Sequence, residues 1–146
     1  MRRRLLKRSC WEQGKQWKIL WIWLHPSGIL GASPDGNVDH ETVLEAKCPY
    51  TERNFTIEEA AKSETFCLEK TESGQYALRK HHFYWHQVQG EMYFTHRKFC
   101  YFVVWTTLKD VAILRIERKE NWATNIPRWT QFYLEHIFPK IVEGKL

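Results

Sequence analysis

Two acidic residues and a lysine in the first third of the chain have the types and spacing needed for chemistry on a phosphodiester. Asp35 lies in a Pro-Asp-Gly-Asn turn, and Glu45 and Lys47 form a Glu-x-Lys triplet that begins ten residues later. Two carboxylates can hold Mg²⁺, which prefers oxygen ligands and keeps several of its waters. An ion held there would polarise a phosphate and lower the pKa of a bound water, which is the chemistry of phosphodiester hydrolysis.

The local patterns around these residues predict a turn followed by a strand. In residues 34–37 the proline presets φ, the aspartate bonds nearby backbone and the glycine accepts a positive φ, which is typical of a turn. Residues 42–47 alternate in the manner of a strand, and Pro49 ends it. Because opposed side chains on adjacent antiparallel strands lie about 5 Å apart, we expect Asp35 to approach Glu45.

Each residue of this hairpin can be given a role. Glu45 and Lys47 are two residues apart and therefore share one face of the strand. Ala46 points to the other face, but its backbone carbonyl can still face a metal ion. We predict that Mg²⁺ or Mn²⁺ is held by Asp35, Glu45 and the carbonyl of Ala46. Lys47 would orient the attacking water or help to deprotonate it, and would stabilise charge that grows on the phosphate.

An ordinary surface hairpin is the alternative reading of the same residues. The Glu-x-Lys triplet by itself is common on solvated strand faces, where it carries no function. Two features favour a site instead. The turn places Asp35 at a suitable distance from the triplet, and Leu44 and Ala46 indicate that the strand has a buried face.

Helices and further strands must position this hairpin. The clearest helix covers residues 81–95, where Tyr84, Val88 and Met92 recur every four residues and are predicted to pack in the core. The order of the elements predicts an α/β (α+β) fold, a mixed sheet with helices on its faces. Before this helix the sequence predicts a strand or short buried helix at 17–24, a strand at 29–32, a helix at 57–66 that begins with a Thr-x-x-Glu capping box, and a turn at Gly74. After it the sequence predicts paired strands at 99–106 and 111–117. The last predicted element is a helix at 125–135 that is capped by Asn125 and kinked or ended near Pro139.

The composition is that of one compact globular domain with a basic start. The chain has 146 residues and a formal net charge of +5, and residues 1–8 contain five basic residues and no acidic one. Such a segment contacts phosphates without reading sequence, or is simply solvated. The four cysteines form no C-x-x-C pair, so we expect reduced thiols rather than a zinc site. No apolar run reaches the roughly 20 residues that span a bilayer, and we expect an intracellular protein of the cytoplasm or nucleus, neither secreted nor membrane-bound.

Four blocks of sequence occur in a fixed order between residues 25 and 145. They are His-Pro at 25–26 followed by Gly-Ala-Ser-Pro-Asp-Gly at 31–36, Leu-Glu-Ala-Lys-Cys-Pro at 44–49, Leu78 followed by His-Phe-Tyr-Trp-His-Gln-Val-Gln-Gly-Glu-Met at 82–92, and Val-Val-Trp-Thr at 103–106. In these blocks the chain resembles the YqaJ-type viral recombinase and lambda-exonuclease family of the PD-(D/E)XK nuclease superfamily. The fold that this resemblance implies is a restriction-endonuclease-like core, with a mixed β-sheet flanked by helices.

The resemblance also implies an activity and a set of site residues. The activity is that of a metal-dependent exonuclease that digests double-stranded DNA ends in the 5′-to-3′ direction during recombination. Asp35 and Glu45 match the metal carboxylates, and Lys47 matches the catalytic lysine. Gln87 matches the family's active-site glutamine, and Tyr84 lies one turn before it. The implied partners are further copies of the chain in a trimer that threads DNA, and a single-strand annealing protein.

The front of the chain departs from the family pattern. Family members carry a helical segment before the His-Pro block, and it supplies another active-site glutamate and basic contacts to the 5′ phosphate. Here 24 residues precede that block. We therefore expect residues 1–24 to be a truncated or atypical N-terminal segment and residues 25–146 to be the nuclease domain. Two alternatives stay open, an inactive remnant that binds DNA or a partner and a related endonuclease, since the same hairpin serves restriction and repair enzymes.

Overall fold

The computed structural model covers nearly all of the chain after its N-terminal segment. It describes the backbone of residues 5–8 and 19–145 and the side chains of residues 22–145. Cys10 and residues 1–4 of the basic segment lie outside the described residues.

The chain divides into two compact units. The continuous unit comprises Pro34–Arg118. The discontinuous unit combines Met1–Ser33 with Lys119–Leu146. All the residues that the sequence assigned to a site fall in the continuous unit. The expected boundary between residues 24 and 25 stays a prediction.

The N-terminal part of the discontinuous unit is a small antiparallel sheet. It comprises β1 (Leu5–Arg8), β2 (Ile19–Leu24) and β3 (Gly31–Ala32), in that spatial order. The sequence left residues 17–24 open between a strand and a helix, and the strand is what forms. Of the strand predicted at 29–32, only the last two residues form β3, because pairing with β2 begins at Gly31.

A mixed sheet forms the centre of the continuous unit. Along the chain this unit contains β4 (Gly36–Asn37), β5 (Thr42–Lys47), helix α1 (Ile57–Ala60), β6 (Leu68–Lys70), β7 (Tyr76–Leu78), helix α2 (Phe83–Thr95), β8 (Phe99–Trp105) and β9 (Val111–Glu117). The sheet has the order β4-β5-β8-β9, in which β5 pairs parallel with β8 and the outer pairings are antiparallel. A parallel pair needs a long crossover, which is supplied by the segment that contains α1 and α2. The predicted hairpin of β8 and β9 is confirmed.

The core lies on the face of the sheet that α2 covers. On β8 the side chains of Cys100, Phe102 and Val104 are fully buried, and the residues between them are partly exposed, which is the two-residue alternation of a strand. Val88 and Met92 of α2 are also fully buried and belong to the same cluster. The predicted core positions of the helix are thereby confirmed for these two residues.

The helix predicted at residues 81–95 is confirmed as α2, with a start two residues later. His82 is its N-cap, and the Nδ1 atom of His82 accepts a hydrogen bond from the Tyr84 N–H at 3.2 Å. At the other end His96 adopts a left-handed backbone with φ of 58°, a conformation that commonly ends a helix.

Helix α1 begins as predicted but is much shorter. The Thr56 side chain accepts from the Glu59 N–H, and the Glu59 carboxylate accepts from the Thr56 N–H, so the capping box is complete. The helix nevertheless ends at Ala60, about six residues before its predicted end. The Ser63 hydroxyl bonds the backbone and side chain of Thr65, and such local bonds compete with the helical ladder.

A small hairpin, β6 and β7, was not predicted from the sequence. The turn that was predicted at Gly74 lies within it, and Gly74 has a positive φ of 79°, which glycine adopts without steric cost. Each strand is three residues long. Such short strands carry too few residues for an alternation in polarity to be recognised.

The C-terminal part of the discontinuous unit is helical, and its winding changes between 3₁₀, α and π forms. It comprises a 3₁₀ turn (Glu120–Thr124), α3 (Asn125–Phe132), a π-helical turn (Tyr133–Ile137) and α4 (Phe138–Val142). Pro139 lacks an N–H and cannot complete the α-helical ladder, which accounts for the wider turn directly before it. The predicted Asn125 cap is wrong, because Asn125 is already helical and its amide donates to the Trp122 carbonyl at 2.7 Å. Over the described residues, none of the helices has the length and apolar character needed to cross a membrane.

Candidate active site

The two predicted metal carboxylates meet where the ladder between β4 and β5 ends. The turn predicted at residues 34–37 is wrong, because Gly36 and Asn37 form β4 and Gly36 does not take a positive φ. Backbone pairing with β5 extends this segment and places Gly36 opposite Leu44. One residue further along, hydrogen bonds between backbone N–H groups and side-chain carboxylates take the place of backbone–backbone pairing. The Asp35 N–H donates to Oε2 of Glu45 at 3.2 Å, and the Ala46 N–H donates to Oδ2 of Asp35 at 2.9 Å. Each of these two carboxylates is therefore held by a backbone N–H of the facing segment.

Strand β5 turns Glu45 toward the interior. The Glu45 side chain is only 3% exposed, and Val43 on the same face is fully buried. Leu44 and Ala46, which the sequence predicted to mark the buried face, are partly exposed. That prediction was wrong because α2 packs against the face that carries Glu45, and the helix supplies the polar partner that a buried carboxylate requires.

One oxygen of Glu45 joins the strand residues to the helix. Oε1 of Glu45 accepts a hydrogen bond from Nζ of Lys47 at 2.5 Å and another from Nε2 of Gln87 at 2.6 Å. With the hydrogen bond that the Asp35 backbone donates to Glu45, all four residues that the sequence predicted to be catalytic are joined in one cluster. Their catalytic roles stay a prediction.

Lys47 is held in its charged form. Burial disfavours the ammonium, but the hydrogen bond and attraction of Glu45 outweigh burial and raise the pKa of Lys47 above its usual value. The ammonium also lies 5.0 Å from the centre of the Tyr84 ring, within the range of cation–π attraction. The Lys47 side chain is 20% exposed. A fixed positive charge therefore reaches the surface of the cluster.

A third acidic residue, Glu91, completes the cluster. Its Oε1 accepts a hydrogen bond from Nε2 of Gln87 at 2.9 Å, and the residue is only 2% exposed. Its Oε2 is buried as well. Burial, and then the negative charge of Glu45, raise the pKa of Glu91 to about 8. Glu91 is therefore mostly a neutral carboxylic acid at neutral pH.

Sequence reasoning did not identify Glu91 as part of the site. The available signal was its spacing, because Glu91 follows Gln87 by four residues and side chains so spaced on a helix are neighbours. A glutamate within the buried stripe of α2, next to Met92, was the second signal, since acidic residues are almost never fully buried without a partner.

The donor atoms of the cluster fit a hard divalent cation. Asp35 and Glu45 supply carboxylate oxygens, which suit Mg²⁺ and Mn²⁺. The Ala46 N–H points toward Asp35, and the N–H and C=O of one strand residue point to the same side of the strand, so the Ala46 carbonyl faces that side too. Between residues 22 and 145, no group of three or more His, Cys, Asp or Glu side chains is arranged to hold a metal ion. The set present, two carboxylates and one carbonyl, suits an ion that keeps several waters.

The mixed sheet with flanking helices defines a nuclease-like α/β fold. It is similar to the crystal structure of an alkaline exonuclease (LHK-Exo) from Laribacter hongkongensis, with a TM-score of 0.57 and 23% identity over 97% of this chain and 61% of that one. The crystal structure of LHK-Exo in complex with dAMP is similar with a TM-score of 0.54 and 22% identity, over 97% of this chain and 64% of that one. The fold class predicted from the sequence is confirmed.

The chain belongs to the YqaJ-like viral recombinase domain family, whose model matches residues 18–98. The family resemblance that the sequence blocks indicated is thereby confirmed. A comparison with curated proteins found no match. The chain spans less than two thirds of the length of LHK-Exo.

Proposed function

We propose that this protein is a Mg²⁺- or Mn²⁺-dependent exonuclease that hydrolyses phosphodiester bonds at the ends of double-stranded DNA. The observation that carries the proposal is the cluster in which Asp35, Lys47 and Gln87 each bond to the Glu45 carboxylate. Membership of the YqaJ-like viral recombinase domain family and likeness in fold to an alkaline exonuclease support it. One LHK-Exo structure contains dAMP, a deoxynucleotide, which is the class of product released when DNA is hydrolysed from an end.

Lys47 serves as a fixed cation in this proposal. Because Glu45 raises its pKa, Lys47 keeps its proton at neutral pH. A protonated amine cannot accept a proton from water, but it can stabilise the negative charge that develops on the phosphate. Of the two roles that the sequence left open for Lys47, the raised pKa supports charge stabilisation.

Gln87 and the backbone of Asp35 fix the orientation of the Glu45 carboxylate. They bind its two different oxygens, Gln87 on Oε1 and the Asp35 N–H on Oε2, so the plane of the carboxylate is defined. A Mg²⁺ or Mn²⁺ ion at Asp35, Glu45 and the carbonyl of Ala46 would polarise the phosphate and supply an activated water. Groups that are already oriented need no reorganisation during the reaction, which lowers the barrier.

Two substitutions test the proposal directly. With linear duplex DNA and Mg²⁺ or Mn²⁺, the wild-type protein should release mononucleotides, and EDTA should stop it. Asp35→Asn removes the negative charge of a metal-binding carboxylate, and Lys47→Met removes the ammonium group at similar side-chain volume. Each substitution should therefore lower kcat by at least about 10²-fold. Lys98→Met is the matched control, because Lys98 pairs with Glu41 at an exposed position of the same unit. Metal-dependent digestion that survives both site substitutions would refute the proposal.

Other outcomes would select one of the alternatives. Cleavage of closed circular DNA, which has no ends, would identify an endonuclease. Tight binding of linear DNA without hydrolysis, even with Mn²⁺, would identify a non-catalytic member of the family.

The family resemblance supports four finer proposals. We propose digestion in the 5′-to-3′ direction, assembly into a homo-oligomer of the trimeric type, a single-strand annealing protein as partner, and an intracellular location. Duplexes labelled at one 5′ or one 3′ end test the direction, because early release of the 5′ label is expected. Light scattering at several protein concentrations tests the assembly, and a monomer at all of them would contradict it.

A further inference from the structure

We infer that Glu91 is a positioning residue of the candidate active site, which holds the Gln87 carboxamide so that it fixes the Glu45 carboxylate. The inference rests on the proposed function for its catalytic consequence, but its structural part can be tested without activity. Glu91 is buried and bonded to Gln87, so it acts through that residue rather than on a substrate.

The chemistry of the contacts determines how the Gln87 carboxamide is oriented. Its Nε2 atom carries two hydrogens, one donated to Oε1 of Glu45 at 2.6 Å and one to Oε1 of Glu91 at 2.9 Å. Ionised carboxylate oxygens only accept hydrogen bonds, so the nitrogen and not the oxygen of the amide must face Glu45. With two acceptors engaged, rotation of the amide would break two hydrogen bonds, whereas without Glu91 it would break one.

Burying the Glu91 carboxyl group costs free energy, which a positioning role would explain. Val88 and Met92 lie on the same buried side of α2 and are fully enclosed, so an apolar residue would be accommodated there. A buried carboxyl group instead carries a desolvation penalty that its interactions must offset. Its hydrogen bond with Gln87 leads directly to Glu45. Groups that orient metal-binding side chains typically change metal affinity or activity by about 10–100-fold when removed.

Three variants separate this role from simple support of the fold. Glu91→Ala removes the second acceptor, whereas Glu91→Gln keeps an oxygen that accepts from Gln87. Gln89→Ala is the matched control, because Gln89 is a fully buried polar residue of α2 whose amide instead donates to the Glu117 carbonyl at 3.0 Å. All three are compared with the wild-type protein after confirming folding by circular dichroism.

The first measurement uses the metal-free protein and NMR of the Gln87 side-chain amide, assigned by its loss in Gln87→Leu. In the wild type and in Gln89→Ala the two amide protons should exchange slowly with water. In Glu91→Ala the protection should be lost, and in Glu91→Gln it should be retained. Unchanged protection in Glu91→Ala would overturn the inference, whatever the activity of the protein.

The second measurement follows Mn²⁺ binding by calorimetry and hydrolysis of linear duplex DNA. Glu91→Ala should lose about 10–100-fold in Mn²⁺ affinity or kcat, with the KM for DNA unchanged, and Glu91→Gln should recover most of that loss. If Glu91→Ala behaves like Gln89→Ala, or if Glu91→Gln recovers nothing, the positioning role is wrong. If instead the wild type neither binds Mn²⁺ nor cleaves DNA, the proposed function fails, and the NMR result still decides the contact.

Discussion

At the scale of single residues, Glu45 and Glu91 act as a pair that shares one amide and favours a single negative charge. Gln87 donates to both carboxyl groups, which brings two acids into a buried space. Burial and the charge of Glu45 together raise the pKa of Glu91 to about 8, so Glu91 holds a proton while Lys47 neutralises Glu45. Glu45, Glu91 and Lys47 together thus remain close to neutral in the absence of a metal ion.

The raised pKa predicts how stability depends on pH. A folded-state pKa of about 8 against 4.5 for the free side chain means that the folded protein keeps a proton which the unfolded chain releases. This contribution is fully present below pH 4.5 and is lost as pH rises toward about 8. Glu91→Gln cannot titrate and should show a flatter profile over that window, measured by urea unfolding in EDTA.

Glu64→Gln serves as the comparison for this experiment, since Glu64 is an exposed glutamate of the same unit. It should retain the wild-type dependence on pH. If Glu91→Gln and the wild type lose stability in parallel, Glu91 does not hold its proton in the folded protein.

At the scale of elements, helix α2 carries the helical part of the candidate site, and its first turn depends on a histidine. Nδ1 of His82 accepts from the Tyr84 N–H, which Nδ1 can do only while it is unprotonated. Burial, assisted by His81 and Arg79, lowers the pKa of His82 below its usual value. The order of the first turn, which contains Tyr84, is therefore linked to pH.

Substitutions of the His82 cap separate its contribution to stability from the dependence of that contribution on pH. His82→Ala should destabilise the protein by about 1 kcal/mol at pH 8, and His82→Ser should retain most of the stability through its hydroxyl. Because the folded pKa is depressed, the contribution of His82 is present above the usual value of 6.5 and is lost as pH falls through the folded pKa. His82→Ser should therefore lose less stability in mild acid than the wild type does, as measured by urea unfolding.

His40→Ser is the control for this comparison, because His40 is exposed and lies outside the helices. It should follow the wild-type profile. An equal loss of stability in acid for His82→Ser and the wild type would show that the cap does not titrate in this range.

At the scale of the whole molecule, metal binding and folding should be linked. An ion that binds the folded chain alone stabilises it by about 2.7 kcal/mol at 100 times its Kd. For a chain of this size that corresponds to a rise in Tm of roughly 5–10 °C. Mg²⁺ or Mn²⁺ should produce this rise in the wild type and in Lys98→Met, as measured by scanning calorimetry. The rise should be absent in Asp35→Asn, and a rise that persists there would place the bound ion elsewhere.

Where the pattern extended over many residues, the sequence predicted the fold well. The apolar run of β8, the four-residue recurrence of Val88 and Met92, and the capping box at Thr56 each reflect a local rule repeated or completed within one segment. The predictions failed where short-range bonds or tertiary pairing decided the outcome. The early end of α1 at Ala60, the hairpin of β6 and β7, and the position of Asn125 inside a helix rather than at its cap belong to this group.

The sequence by itself determined the strand that bears Glu45 and Lys47, the helix that bears Gln87 and the family to which the chain belongs. These follow from local spacing and from motifs that are contiguous in the chain. The tertiary structure alone decided that the face of β5 that carries Glu45 is the buried one. It also decided that Gln87 donates hydrogen bonds to both Glu45 and Glu91. The physical reason is that burial and pKa depend on which elements pack together, and β5 meets α2 only because the crossover between two parallel strands brings the helix back onto the sheet.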